Sequence, residues 1–129
     1  CRFVNRTGAS GLRTSLDDAM GELAVDRGAD RRALAADVDG YGAGVRAHES
    51  PVRAVARGDA DAGLALRATA ERLDCPFVSL GAQPVRVLAA PARAAKPGVQ
   101  TLAAAVADGA AFDGLSGYDE ASSANDETR

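Results

Sequence analysis

The run Arg2-Phe3-Val4-Asn5-Arg6-Thr7-Gly8-Ala9-Ser10-Gly11-Leu12-Arg13 constrains this chain more than any other stretch. Its apolar opening predicts a short strand over 2–5. Small residues then form a loop, and Ser10 begins an amphipathic helix. The first amides of a helix have no partner within it and stand at the positive end of its dipole. Ser10 adds a hydroxyl, Gly11 removes a side chain from the approach, and Arg6 and Arg13 bring fixed positive charge. That is the composition of an anion cradle. The same residues also suit an ordinary strand-to-helix turn with Ser10 as its N-cap.

Beyond this junction the pattern alternates strand and helix. Leu12, Leu16, Met20 and Leu23 recur at helical spacing and make one apolar face over 10–25, with Arg13, Asp17, Asp18 and Glu22 turned outward. After the break from Gly28 to Asp30 come a short helical turn at 31–36, a strand at 37–41 and a flexible Gly42-Ala43-Gly44 connection. Ser50-Pro51 is the clearest helix start, with Ser50 able to cap and Pro51 suited to the first helical position. Val52, Val55 and Ala56 supply its buried face, and Gly58 ends it. Residues 62–66 read as a buried strand, 68–73 as a helix, and 77–80 and 85–89 as two further strands. Val99, Leu102 and Val106 mark a helix over 97–107, and one more turn is expected at 111–115. Together these predict an α/β three-layer sandwich around a mainly parallel or mixed five-stranded sheet. It forms one domain over 1–119. The segment 120–129 has nothing to bury and is expected to be a disordered tail.

Several function classes are disfavoured. The chain has 129 residues and a net charge of −3, whereas nucleic-acid binding needs a basic face. No apolar run reaches the length of a membrane span and no signal peptide opens the chain, so the expected location is cytoplasmic, away from membranes. A start at Cys1 predicts a segment of a longer protein. Cys1 and Cys75 are the only cysteines and make no disulfide framework. Cys75 reads as a small buried hydrophobe. One His and two distant Cys assemble no zinc site, and no cofactor is expected. Catalysis fits poorly, because Ser10 has no neighbouring base and no nucleophile-elbow pattern surrounds it. Asp17-Asp18 reads as a solvated charge pair, and Asp59 and Asp61 as turn residues. A triad of Ser10 or Ser50 with His48 stays open, although nothing in the order demands it.

The second helix start competes with the first for chemistry. Arg46, His48, Glu49 and Ser50 lead into it, which sets a titratable imidazole beside further helix amides. In open α/β sheets ligands bind beyond the carboxyl ends of strands, where helix starts converge. His48 and Ser50 therefore join Arg6, Ser10, Gly11 and Arg13 as candidate ligand-binding residues. As a lone His before a helix, His48 also suits a plain surface role.

A family resemblance rests on three stretches: Arg2 to Arg6 with Ser10-Gly11 and Arg13, the run from Val52 to Leu64, and Gly117-Tyr118-Asp119. They resemble the periplasmic-binding-protein-like domain of molybdate-related proteins. That family has a strand ending in Asn-Arg, a Gly-Ser-Gly-Thr-Arg-like loop and an Ala-Val-Ala-x-Gly-x-Ala-Asp-x-Gly run preceded by His, the place held here by His48. Ala9 and Leu12 depart from that loop, and Gln83-Pro84-Val85-Arg86 stands where the family often has a Glu-x-Tyr-Asp-like run. The resemblance implies a lobe of a type II binding-protein fold and a non-catalytic domain for an oxyanion such as molybdate or tungstate. It also implies a preceding domain or lobe in the parent chain, either a molybdate-responsive regulator or a molybdopterin molybdotransferase. The alternatives are a sensor for a small organic ligand in a transcription regulator or an accessory domain of a molybdopterin molybdotransferase, with a purely structural module as a further reading.

Overall fold

The computed structural model describes residues 1–109 and 112–118, and its chain divides into two units, 1–81 and 82–129. The first unit is built on β1 (Phe3–Arg6), which lies between β2 (Gly44–Val45) and β3 (Ala62–Gly63). Both pairings are parallel, with Asn5 opposite Gly44, Arg6 opposite Val45, Phe3 opposite Ala62 and Val4 opposite Gly63. Parallel neighbours need a crossover between them. Here α1 (Gly11–Arg27) and α2 (Arg31–Ala36) make the first, and α3 (Ser50–Ala56) the second. A further helix, α4 (Arg67–Arg72), follows β3.

Local chemistry accounts for most of these boundaries. Helix α1 starts after Ser10 and stops where Gly28 adopts a left-handed φ of 59°, its N–H donating to the Ala24 and Val25 carbonyls. Asp30 caps α2 by accepting the Ala33 N–H at 3.0 Å. The predicted apolar stripe of α1 is only partly covered. Leu12, Leu16 and Met20 are half-buried, Leu23 is exposed, and the residue that is buried is Ala24. Helix α3 buries Pro51 and Val52, and Pro51 sits against Gly63 of β3. The rest of the buried core includes Tyr41, Ala60, Leu64 and Ala70.

The expected five strands reduce to three among the described residues. The 37–41 segment is a turn whose one β-type backbone pairing with the sheet is an isolated bridge between Arg2 and Asp39. The strand falls instead on Gly44–Val45, beginning at the last residue of the Gly42-Ala43-Gly44 stretch predicted as a flexible link. Residues 77–80 and 85–89 carry no sheet pairing, and Val78, Leu80, Val85, Val87 and Leu88 are exposed. Apolar content alone does not make a strand, which exists only where a neighbour accepts its backbone hydrogen bonds. Ser50 does not cap α3. Glu49 holds the N-cap position, and Ser50 is the first helical residue. Cys75 is half-buried, its Sγ near the Leu73 and Val52 carbonyls, and no strand follows it.

Among its described residues the second unit contains a 3-10 turn at Pro91–Arg93 and α5 (Pro97–Ala107), with Pro at the start of α5 as the sequence predicts. Phe112 and Tyr118 stack there with centroids 6.0 Å apart. Part of the turn expected at 111–115, Asp119 of the family-like Gly117-Tyr118-Asp119, and the segment 120–129 lie outside the described residues.

Two glycines fix how closely the 39–45 segment follows β1. A Cβ on Gly40 would lie 2.0 Å from the Phe3 carbonyl oxygen, and its φ is +86°. A Cβ on Gly44 would lie 2.7 Å from the Arg6 oxygen. Gly40→Ala and Gly44→Ala are each expected to cost at least about 1–3 kcal/mol of stability, the range for overpacking. Gly8→Ala, with nothing within 4 Å, is the neutral control. Chemical denaturation of the three variants checks this.

Candidate ligand-binding site

The sheet order β2-β1-β3 places a topological switch at β1, since the chain leaves it toward one neighbour and returns on its other side. Crevices in open α/β sheets form at such points, beyond the strand's carboxyl end. The residues there are Arg6, the loop to Ser10, and the start of α1. The Asn5 side chain is fully buried, donating from Nδ2 to the Tyr41 carbonyl and accepting the Arg6 N–H at Oδ1, both at 2.8 Å.

Arg6 is 4% exposed. Its Nη2 donates to the Arg46 carbonyl at 2.8 Å, while Nε and Nη1 are buried with no hydrogen-bond partner. No salt bridge to an acid is formed by Arg6 among the described residues. A guanidinium stays protonated, so this is a buried cation with unused donors. Such an arrangement is costly unless an anion completes it.

Helix α1 adds a second attraction for negative charge. It runs for 17 residues and carries no acid in its first turn. Ser10 holds the N-cap position with extended backbone angles, but its hydroxyl makes no capping hydrogen bond. That hydroxyl is therefore not used in stabilising the helix. Gly11 is exposed at the helix start, as a close approach of a ligand to the backbone requires.

Arg13 has a different fate from the one its outward position predicts. Its Nε donates to both Asp17 carboxylate oxygens at 3.0 and 3.1 Å, and its Nη1 reaches the Arg6 carbonyl at 3.4 Å. Its guanidinium carbon also lies 4.8 Å from the centroid of the Tyr41 ring. Asp17 is likewise no solvated carboxylate, because Oδ1 accepts the Tyr41 hydroxyl at 2.6 Å. Partial burial pushes the Asp17 carboxyl up, but the Tyr41 and Arg13 hydrogen bonds outweigh it and hold it below its ordinary value. Burial, followed by the bond to Asp17 and its charge, pushes the Tyr41 hydroxyl up to about 12.

The second helix start contributes less than its sequence predicts. Arg46 reaches the site through its carbonyl. His48 is exposed and makes no hydrogen bond among the described residues, and Ser50 is half-buried at the start of a helix of 7 residues. Glu49 pairs with Arg53 at 2.7 Å and with Arg72, and those two bonds draw its carboxyl below the usual range. The structure thus gathers Arg6, Ser10, Gly11 and Arg13 around one junction and leaves His48 on the surface. Asn5 and Tyr41 are the site residues that motif reading misses. The one available signal was a polar Asn inside an apolar strand, and for Tyr41 its rarity, with two tyrosines in the chain.

A family model described as PBP superfamily domain matches residues 1–116. The chain belongs to the PBP superfamily. No match was found among curated proteins or among solved structures. This PBP-like domain is accordingly a ligand-binding type of domain, and domains of its kind are generally non-catalytic.

The Asp17–Tyr41 pair carries a pH signature of definite sign. Asp17 binds its proton less tightly folded than unfolded, so its contribution is present above about pH 4 and fades as pH falls. Tyr41 binds its proton more tightly when folded, so its contribution is complete below about pH 10 and is lost toward 12. In a Tyr118→Phe background, absorbance at 295 nm is expected to show Tyr41 ionising near 12, and adding Asp17→Asn to move it down. Ionisation near 10 with the fold intact, as followed by circular dichroism, would refute the pair.

Proposed function

We propose that this PBP-like domain binds a small tetrahedral oxyanion, molybdate or tungstate, at the carboxyl end of β1. The observation that carries the reading is the buried Arg6 guanidinium with Nε and Nη1 unpartnered. An anion beside it would gain charge-assisted hydrogen bonds in a site already shielded from water. The unused Ser10 hydroxyl and the amide end of α1 supply neutral donors of the kind that hold a desolvated dianion. Arg13 positions the junction, since its donors already serve Asp17 and the Arg6 carbonyl. His48 and Ser50 are secondary contributors.

In this reading the domain is non-catalytic and needs no cofactor. It senses or delivers its anion inside a cytoplasmic parent protein of molybdenum-cofactor biosynthesis or molybdate response. The preceding domain or lobe of that parent is its partner, with neither nucleic acid nor membrane bound by this segment. The resemblance of Arg2 to Arg6 and of Val52 to Leu64 to molybdate-related proteins supports the choice of anion.

Calorimetric titration of molybdate, tungstate, sulfate and phosphate, into this chain and into its parent protein, tests the proposal. Molybdate or tungstate is expected to bind, and Arg6→Met to weaken binding by about 100-fold, as lost charge-assisted bonds imply. Ser10→Ala is expected to weaken it by about tenfold while leaving helix content unchanged. Anion-free Arg6→Met should be no less stable than the wild type, because it removes an uncompensated buried charge. Silence from all four anions in both proteins would overturn the oxyanion reading.

A further inference from the structure

A cleft of about 360 Å³ opens between α1, α2 and the Tyr41 segment, and Arg6 is not among the residues that line it. Its charged wall consists of Arg13, Asp17, Arg31 and Arg32. Asp17 is neutralised by Arg13, leaving two cationic side chains in excess. Arg31 and Arg32 are exposed and make no hydrogen bond or ion pair among the described residues. Arg31 acts on Asp17 only through space, and its stem passes 3.7 Å from the Cβ position of Gly21. Ala35, Ala36 and Gly42 supply a wall with little side-chain bulk, beside the Tyr41 ring.

The volume lies at the low end of the roughly 300–1,000 Å³ of clefts that take small organic ligands. It exceeds what one tetrahedral oxyanion fills. Two planar guanidinium forks without acidic partners match phosphate or carboxylate oxygens. The small-residue wall beside Tyr41 leaves room for a single ring, and the Tyr41 orientation is fixed in advance by its bond to Asp17, by the Arg13 guanidinium over its ring and by stacking with Phe3 at 6.5 Å.

We propose that the α1–α2 cleft is a second ligand site, which takes a doubly charged phosphate monoester carried on one planar ring, with Arg31 and Arg32 holding the phosphate and Tyr41 flanking the ring. This site is distinct from the Arg6 junction in its lining, its size and its ligand class. Arg13 borders it and touches the Arg6 carbonyl, so the two sites share the first turn of α1.

Phenyl phosphate is the probe, titrated into the whole chain and followed by ¹H–¹⁵N NMR. Saturable shifts are expected at the Arg13 side-chain Nε–H and at the amides of Ala36, Tyr41 and Gly42. Arg31→Gln with Arg32→Gln should weaken binding at least tenfold, and the charge-retaining Arg31→Lys with Arg32→Lys should weaken it less. Ala36→Leu, which fills the cleft and leaves every charge in place, should also abolish the shifts. Phenol, which has the ring and lacks the phosphate, should produce none. Absence of saturable shifts at these groups, their persistence in both the double Gln variant and Ala36→Leu, or equal binding of phenol would each overturn the proposal.

Discussion

The Asn5 carboxamide, fully buried at the centre of the sheet, ties the end of β1 to the segment that carries Tyr41. Neither flanking strand extends beyond two residues, so ladder hydrogen bonds alone define this small sheet weakly. The side-chain bonds of Asn5 supplement them at the position where register matters, because the next residue is Arg6. Tyr41 then passes the constraint outward. Its carbonyl is held by Asn5, its ring packs on Phe3, and its hydroxyl fixes Asp17, which in turn holds Arg13. The start of α1 is thus anchored to β1 by a chain of polar contacts more than by apolar burial. That suits a helix of which Ala24 is the one buried residue.

Much of this was legible in the residues. The strand–loop–helix junction, the break at Gly28, the Asp30 turn, the Ser50-Pro51 start and the Pro97 helix all rest on local chemistry: caps, prolines and left-handed glycines. Such signals are carried by a few adjacent side chains and survive without tertiary information. The strands fared worse for the opposite reason. Residues 77–80 and 85–89 have the apolar content of strands, but their pairing depends on neighbours that no local pattern specifies. Gly44–Val45 has almost no strand signature, yet it pairs because Gly44 is small enough to lie against the Arg6 backbone. The candidate site was legible as a composition, Arg6 with Ser10, Gly11 and Arg13. Its internal division of labour was not.

That division follows from what each cation's neighbours demand. In sequence Arg6 and Arg13 look equivalent, two fixed charges flanking a small-residue loop. In the fold, Arg13 meets a carboxylate, a carbonyl and an aromatic face, so its charge is balanced where it stands. Arg6 meets one carbonyl and no acid, with less surface left to water. A buried cation contributes nothing to stability on these terms and would be better replaced by an apolar side chain of similar volume. Its burial at the end of β1 is therefore better explained by binding than by folding.

The same reasoning separates Arg6 from the arginines of α2. Arg31 and Arg32 lack acidic partners too, but water solvates them, so their isolation carries no comparable penalty. Their bearing on function comes from convergence with Tyr41 on one cleft, not from strain. An anion at Arg6 would relieve an existing cost and would be held by desolvated hydrogen bonds. An anion at Arg31 and Arg32 must displace their water and gains from shape as much as from charge. Affinity at the first position should therefore depend little on ionic strength, and affinity at the second should fall as salt rises, since exposed charges are the ones that mobile ions screen.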